Sequence, residues 1–166
     1  MLIIIRGNSG SGKTTTAHAL REKAIESGAK KFIALVEQDY FRRIVLKEKE
    51  SVGADNIDLI EQTVKFLLDR DYEVILEGIL SSKRYGAMIQ KLCKHASDYR
   101  AYYMNVSLAE TLNRHNKKPN ANEFGEAEMT SWYKPLDILG IENESVLDEN
   151  LTQEQIIALI RKDTGL

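Results

Sequence analysis

Leu2-Ile3-Ile4-Ile5-Arg6-Gly7-Asn8-Ser9-Gly10-Ser11-Gly12-Lys13-Thr14-Thr15 stands near the start of the chain, and its reading decides the fold. Gly7 to Thr14 satisfies the phosphate-loop pattern G-x-x-x-x-G-K-[ST] in full. The apolar run Leu2 to Ile5 predicts a short buried strand, and Thr14 to Ser27 predicts a helix. A glycine-rich turn between the two aims successive backbone N–H groups inward as an anion nest. The helix adds the positive end of its dipole. A polyphosphate is therefore expected on Gly7, Asn8, Ser9, Gly10, Ser11, Gly12, Lys13, Thr14 and Thr15. In such a loop the lysine reaches the β- and γ-phosphates of ATP and the threonine hydroxyl ligates Mg²⁺.

The rest of the chain continues the alternation. Phe32 to Val36, Tyr72 to Leu76, Tyr99 to Met104 and Ser145 to Leu147 are apolar runs of the kind that buried parallel strands show. Between them Ile57, Ile60, Val64, Leu67 and Leu68 form one helical stripe, with Asp55 placed to cap it. Ser107 with Glu110, and Thr152 with Gln155, have the spacing of capping boxes. Strand and helix in alternation predict a parallel sheet covered on both faces, with its ligand crevice at the carboxyl ends of the strands.

Bulk properties narrow the function classes. The 166 residues are expected to form one domain, and a formal net charge of −2 opposes nucleic acid as a partner. Cys93 is the sole cysteine, so neither an internal disulfide nor a CxxC site exists. His18, His95 and His115 are scattered, which argues against zinc. No run approaches the roughly 18 apolar residues of a membrane span, and the first apolar run is too short for a signal peptide. A cytoplasmic location is expected.

Residues just behind the strands carry the candidate chemistry. Asp39 follows the second strand, where a carboxylate would orient an acceptor hydroxyl and take its proton; Glu37 is the second choice. Arg42, three residues on, would neutralise an anionic acceptor or the moving phosphoryl group. Glu77 ends the third strand and would support Mg²⁺ or contact the acceptor, with Gly78 letting backbone approach substrate. Arg114, Lys117 and Lys118 precede or begin the polar stretch His115 to Phe124, which contains Pro119 and leads into a short helix at Glu126 to Tyr133. The span from about 114 to 133 reads as a lid bringing cations to the phosphates, with Arg114 catalytic. Trp132 and Tyr133 would line an acceptor pocket. Asn116-Lys117-Lys118-Pro119 begins like the guanine-reading N-K-x-D but ends in proline, so a GTPase is set aside.

Together, GNSGSGKTT, Asp39-x-x-Arg42, the strand ending in Glu77 and Arg114 before a lid resemble the small P-loop kinases. The nearest in pattern are chloramphenicol phosphotransferase-like, polynucleotide kinase-like and zeta-toxin-like kinases. The resemblance implies a three-layer α/β sandwich of the P-loop NTPase type, a five-stranded parallel sheet in the order 2-3-1-4-5 between helices. It also implies ATP with Mg²⁺, a base at Asp39 and a lid arginine at Arg114. The leading expectation is an ATP-dependent kinase acting on a hydroxyl of a small-molecule acceptor. The alternatives are a 5′-hydroxyl polynucleotide kinase and a non-catalytic nucleotide-binding regulatory module. No motif identifies the acceptor or the oligomeric state.

Overall fold

The computed structural model describes residues 1–28, 32–117 and 125–166. Its five strands are β1 (Leu2–Gly7), β2 (Ile33–Glu37), β3 (Glu73–Gly78), β4 (Tyr99–Asn105) and β5 (Glu144–Asp148). The helices are α1 (Lys13–Glu26), α2 (Asp55–Leu68), α3 (Ser82–His95), α4 (Leu108–Asn116), α5 (Glu126–Trp132) and α6 (Gln153–Thr164). All four strand pairings are parallel, in the order β2-β3-β1-β4-β5. That is the order the resemblance implies. The strands run a residue or two beyond the apolar runs, because ladder hydrogen bonding continues through Glu37, Glu77 and Gly78 after hydrophobicity stops.

β1 is central, and its side chains divide the core. Leu2 and Ile4 pack with Ile57, Ile60 and Val64 of α2 and Ile89 and Leu92 of α3. Ile3 and Ile5 face the other way, against Leu20 of α1 and Ile156, Ile157 and Ile160 of α6. This alternation follows from the twofold period of a strand. Each fully buried aliphatic contributes on the order of 1.5–3 kcal/mol.

The caps differ from expectation at two helices. Ala54, not Asp55, is the cap position of α2, and Asp55 lies in its first turn, where its charge complements the dipole. At α4 only half of the capping box forms. Ser107 Oγ accepts from the Glu110 N–H, but the Glu110 carboxylate accepts from Asn113 and Arg114 instead. The Thr152–Gln155 box of α6 is complete.

One charge is buried in the middle of this frame. Arg6, on β1 between Ile5 and Gly7, is 0% exposed. Its Nε and Nη2 donate to the Leu80 carbonyl at 3.2 and 2.9 Å. Nη1 donates to the Asp137 carbonyl and Glu144 Oε1, and Nη2 also reaches Asp137 Oδ2. Asp137 in turn accepts from the backbone N–H and hydroxyl of Ser82, and Glu144 accepts from the Leu139 and Gly140 N–H groups. The irregular return from α5 to β5 is thus fixed by side chains rather than by a ladder. Asn8 adds a second clamp: its amide accepts from the Lys134 N–H at 2.9 Å and donates to the Lys134 carbonyl at 2.8 Å.

Removing the guanidinium strands two carboxylates below the surface. Arg6→Met is expected to lose about 3–5 kcal/mol of unfolding free energy in urea titration. A loss under about 1 kcal/mol would mean the return segment is held by other contacts.

Candidate active site

The phosphate loop takes the form its glycines require. Gly10 and Gly12 have φ of +80° and +97°, and a Cβ at Gly10 would meet the Thr111 carbonyl oxygen at 2.7 Å. Helix α1 follows with no side-chain cap and no acidic residue in its first turn. Its leading N–H groups and positive dipole end are therefore left to a ligand anion. Lys13 Nζ donates to the Asn8 carbonyl at 3.3 Å, bending back over the loop.

Behind Thr14 lies Glu77. The Thr14 hydroxyl sits 3.2 Å from both oxygens of the Glu77 carboxylate, which is 3% exposed. Burial raises the pKa of Glu77 above its ordinary 4.5, while the Lys13 charge and the Thr14 hydrogen bond oppose that rise. A hydroxyl backed by a carboxylate is an oxygen-only donor set, and it fits Mg²⁺ whose other positions are filled by water and phosphate oxygens. No group of three or more His, Cys, Asp or Glu side chains that could hold a metal occurs among the described residues. Mg²⁺ usually binds through one or two carboxylates together with substrate phosphates.

A cavity of about 480 Å³ opens in front of the loop, lined by Lys13, Thr14, Asp39, Arg42 and Trp132 among others. Asp39 precedes the π-helical segment Tyr40–Val45 without capping it through its side chain; Oδ1 accepts instead from Arg42 Nη2 at 2.8 Å. Glu37 does not line this cavity and lies 3.0 Å from His18 Nε2. Trp132 does line it, 45% exposed, whereas the Tyr133 hydroxyl donates to the Val106 carbonyl. Gly78 makes room for a neighbouring side chain rather than for substrate, since a Cβ there would lie 2.6 Å from Gln38 Cβ.

Arg114 is not brought into this cavity. It lies in the last turn of α4, its Nε donating to Glu110 Oε1 at 2.7 Å and its Nη1 to the Ser11 carbonyl at 3.1 Å. It touches the phosphate loop from the α4 side. Lys117 follows the end of α4; Lys118, Pro119 and the rest of the stretch through Phe124 lie outside the described residues. Among the cavity residues that escaped the sequence reading are Ser81, Arg84, Lys134 and Asp137. Ser81 and Arg84 lie soon after the end of β3, where the strand-end rule points, and could have been found. Lys134 and Asp137 sit in an irregular segment with no periodic signal.

Among the described residues no helix is long and apolar enough to cross a membrane. The zeta toxin family model matches residues 1–123. No curated protein matches the chain. Among solved structures, the Mycobacterium tuberculosis APS kinase CysC, in complex with AMPPNP and APS, aligns at 18% identity and a TM-score of 0.76. It covers 97% of this chain and 95% of its own. A Sinorhizobium meliloti gluconokinase aligns at 15% identity and 0.60, over 97% and 93%. Chaetomium thermophilum Kti12, in complex with ADP-AlF3, aligns at 15% and 0.67, over 98% of both. At these identities the shared property is the fold, and the resemblance to small P-loop kinases holds at that level.

A buried carboxyl with a raised pKa stabilises the fold only while protonated. Its contribution is full below the ordinary value of 4.5 and is lost as pH rises through the folded-state pKa. Without nucleotide or Mg²⁺, Glu77→Gln should therefore gain thermal stability relative to the parent chain between pH 5 and pH 8. A difference in Tm that is flat across that range would contradict the burial account.

Proposed function

The chain belongs to the zeta toxin family, and on that premise we propose that it is an ATP-dependent kinase. The acceptor is a hydroxyl of a small molecule, nucleoside-, sugar- or antibiotic-like. One observation carries this reading: Asp39 lines the same cavity as Lys13 and Thr14 of the phosphate loop, so an acceptor base and a phosphate grip face one space. The AMPPNP and ADP-AlF3 held by two fold relatives support nucleotide as the ligand of the loop.

In this proposal residues 1–166 act as one kinase domain. The loop N–H groups and the α1 terminus bind the β- and γ-phosphates, and Lys13 exchanges the Asn8 carbonyl for phosphate oxygen. Thr14, with Glu77 behind it, would hold Mg²⁺, which supplies positive charge against the phosphate oxygens. Asp39 orients the acceptor hydroxyl and accepts its proton. The acceptor oxygen bonds to the γ-phosphorus as the bond from that phosphorus to the β–γ bridging oxygen breaks, and ADP leaves. Glu37 is a poorer base because it is directed to His18. Arg42 and Trp132 contact the acceptor. Arg114 reaches the nucleotide by leaving the Ser11 carbonyl as the segment from about 114 to 133 closes. A cytoplasmic location agrees with the supply of ATP and Mg²⁺.

A second reading, a nucleotide-binding regulatory module, draws on the fact that Asp39 and Arg114 are both hydrogen-bonded within the protein. Acceptor-dependent ADP release separates the two. A 5′-hydroxyl polynucleotide as acceptor is disfavoured by the net charge of −2.

Lys13→Ala is expected to abolish acceptor-dependent ADP release with little change in Tm. Asp39→Asn should slow it by roughly 10²–10⁴ while ATP affinity stays nearly constant. Arg114→Ala should slow it by about 10-fold or more. Turnover persisting in Lys13→Ala would remove the phosphate loop from the mechanism. Collapse of ATP binding in Asp39→Asn, with turnover per bound ATP intact, would reassign Asp39 to the nucleotide.

A further inference from the structure

The segment that carries Asp39 and Arg42 is held from its two ends. None of residues 39–47 is buried. Tyr40, Ile44, Val45 and Leu46 are exposed, and of its large apolar side chains only Phe41 packs on the core. Its placement therefore falls to the residues that flank it. Gln38, 1% exposed, enters the space left by Gly78 and donates through Nε2 to the Tyr85 hydroxyl at 3.0 Å. That hydroxyl donates to Asn56 Oδ1 at 2.9 Å, and Asn56 donates through both Nδ2 and its backbone N–H to Glu48 Oε1. The Glu48 N–H then donates to the Arg42 carbonyl at 3.0 Å, and Arg42 Nη2 donates to Asp39 Oδ1. Asp39 follows Gln38 in the chain. The hydrogen bonds thus close into a ring that contains the acid and its arginine.

Every bond in the buried part of this ring has a fixed direction. An ionised carboxylate only accepts, and its bonds from Asn56 hold the Glu48 carboxyl below its ordinary pKa of 4.5. Asn56 must then turn Nδ2 to Glu48 and Oδ1 to Tyr85. Tyr85 must give its one proton to Asn56, and Gln38 must present its amide N–H. Burial pushes the Tyr85 phenol up to about 12, so it keeps that proton. Tyr85 and Asn56 are fully buried, and neither they nor Gln38 line the cavity. Buried polar groups that satisfy one another specify a single arrangement, which apolar side chains of the same size would not do. Accuracy matters at this place, because a shift of about 1 Å in a reacting group can cost about 10²-fold in rate.

We propose that Tyr85 and Asn56 are positioning residues for the reaction: through Gln38 at one end and Glu48 at the other they set where Asp39 stands before the phosphate loop. The part played by Asp39 rests on the kinase reading; the hold on residues 39–48 does not.

The test uses the full chain and three variants. Tyr85→Phe removes the central hydroxyl, Glu48→Ala opens the ring near the surface, and Glu48→Gln keeps an oxygen for Asn56. Hydrogen exchange over residues 40–48, without ligand, should quicken about tenfold in the first two and stay near the parent in the third. Exchange in the phosphate loop should not change. The rate at which γ-labelled ATP esterifies a pool of small metabolites should fall about tenfold or more in Tyr85→Phe and Glu48→Ala, with AMPPNP affinity kept. Introduced into Asp39→Asn, the same two changes should cost no further rate, whereas a merely structural role would cost the same factor in both backgrounds. If Tyr85→Phe does not fold, Glu48→Ala decides alone. The proposal is overturned if exchange over residues 40–48 is unaltered, if AMPPNP affinity falls with the rate, or if the losses add to that of Asp39→Asn. If the parent chain forms no labelled ester, the kinase reading fails by itself, and exchange alone decides whether the ring holds the segment.

Discussion

A guanidinium with no access to water needs an acceptor for each of its five N–H groups, and at Arg6 that need ties three distant segments to the central strand. The acceptors come from three places far apart in sequence: Leu80 at the β3–α3 corner, Asp137 in the return from α5, and Glu144 at the start of β5. Each is tied onward, Asp137 to the start of α3 and Glu144 to the Leu139–Gly140 turn. A hydrophobic residue at position 6 would fill the space equally well but would specify none of these partners. The buried charge thus sets where an irregular segment runs, and that segment forms one wall of the cavity beside the phosphate loop.

The opposite electrostatic device operates one turn further along the chain. Helix α1 begins without a cap or an acidic residue, unlike α6 with its complete capping box. Its unsatisfied N–H groups therefore remain available to an external anion. Around this vacancy of negative charge the protein holds carboxylates at graded positions: Glu77 buried behind Thr14, and Asp39 at the rim with Arg42. Burial raises the Glu77 pKa, so a cation held beside Thr14 would favour the ionised carboxylate.

The parts of the fold legible in the sequence were those with a repeating or fixed-offset signal. The strand runs, the α2 stripe, the phosphate loop and the Thr152–Gln155 box all recur at spacings that backbone geometry dictates. The misreadings share a cause, which is competition for a side chain. Glu110 left its capping box for Asn113 and Arg114, and Gly78 served Gln38 rather than a ligand. The Lys134–Asp137 wall had no signal of its own, because side chains on β1 and the loop hold it. Yet a lone arginine inside the run Leu2 to Gly7 was readable as a demand for buried acceptors.

The central claim is that phosphate loop and Asp39 act on one acceptor in one cavity. ATP labelled in its γ-phosphoryl group, incubated with the protein, Mg²⁺ and a fractionated pool of small metabolites, reads that claim directly by mass spectrometry. The label should appear in an organic phosphate ester, and it should vanish from that ester in Asp39→Asn. Label found only in inorganic phosphate, at a rate the pool does not alter, would contradict the account.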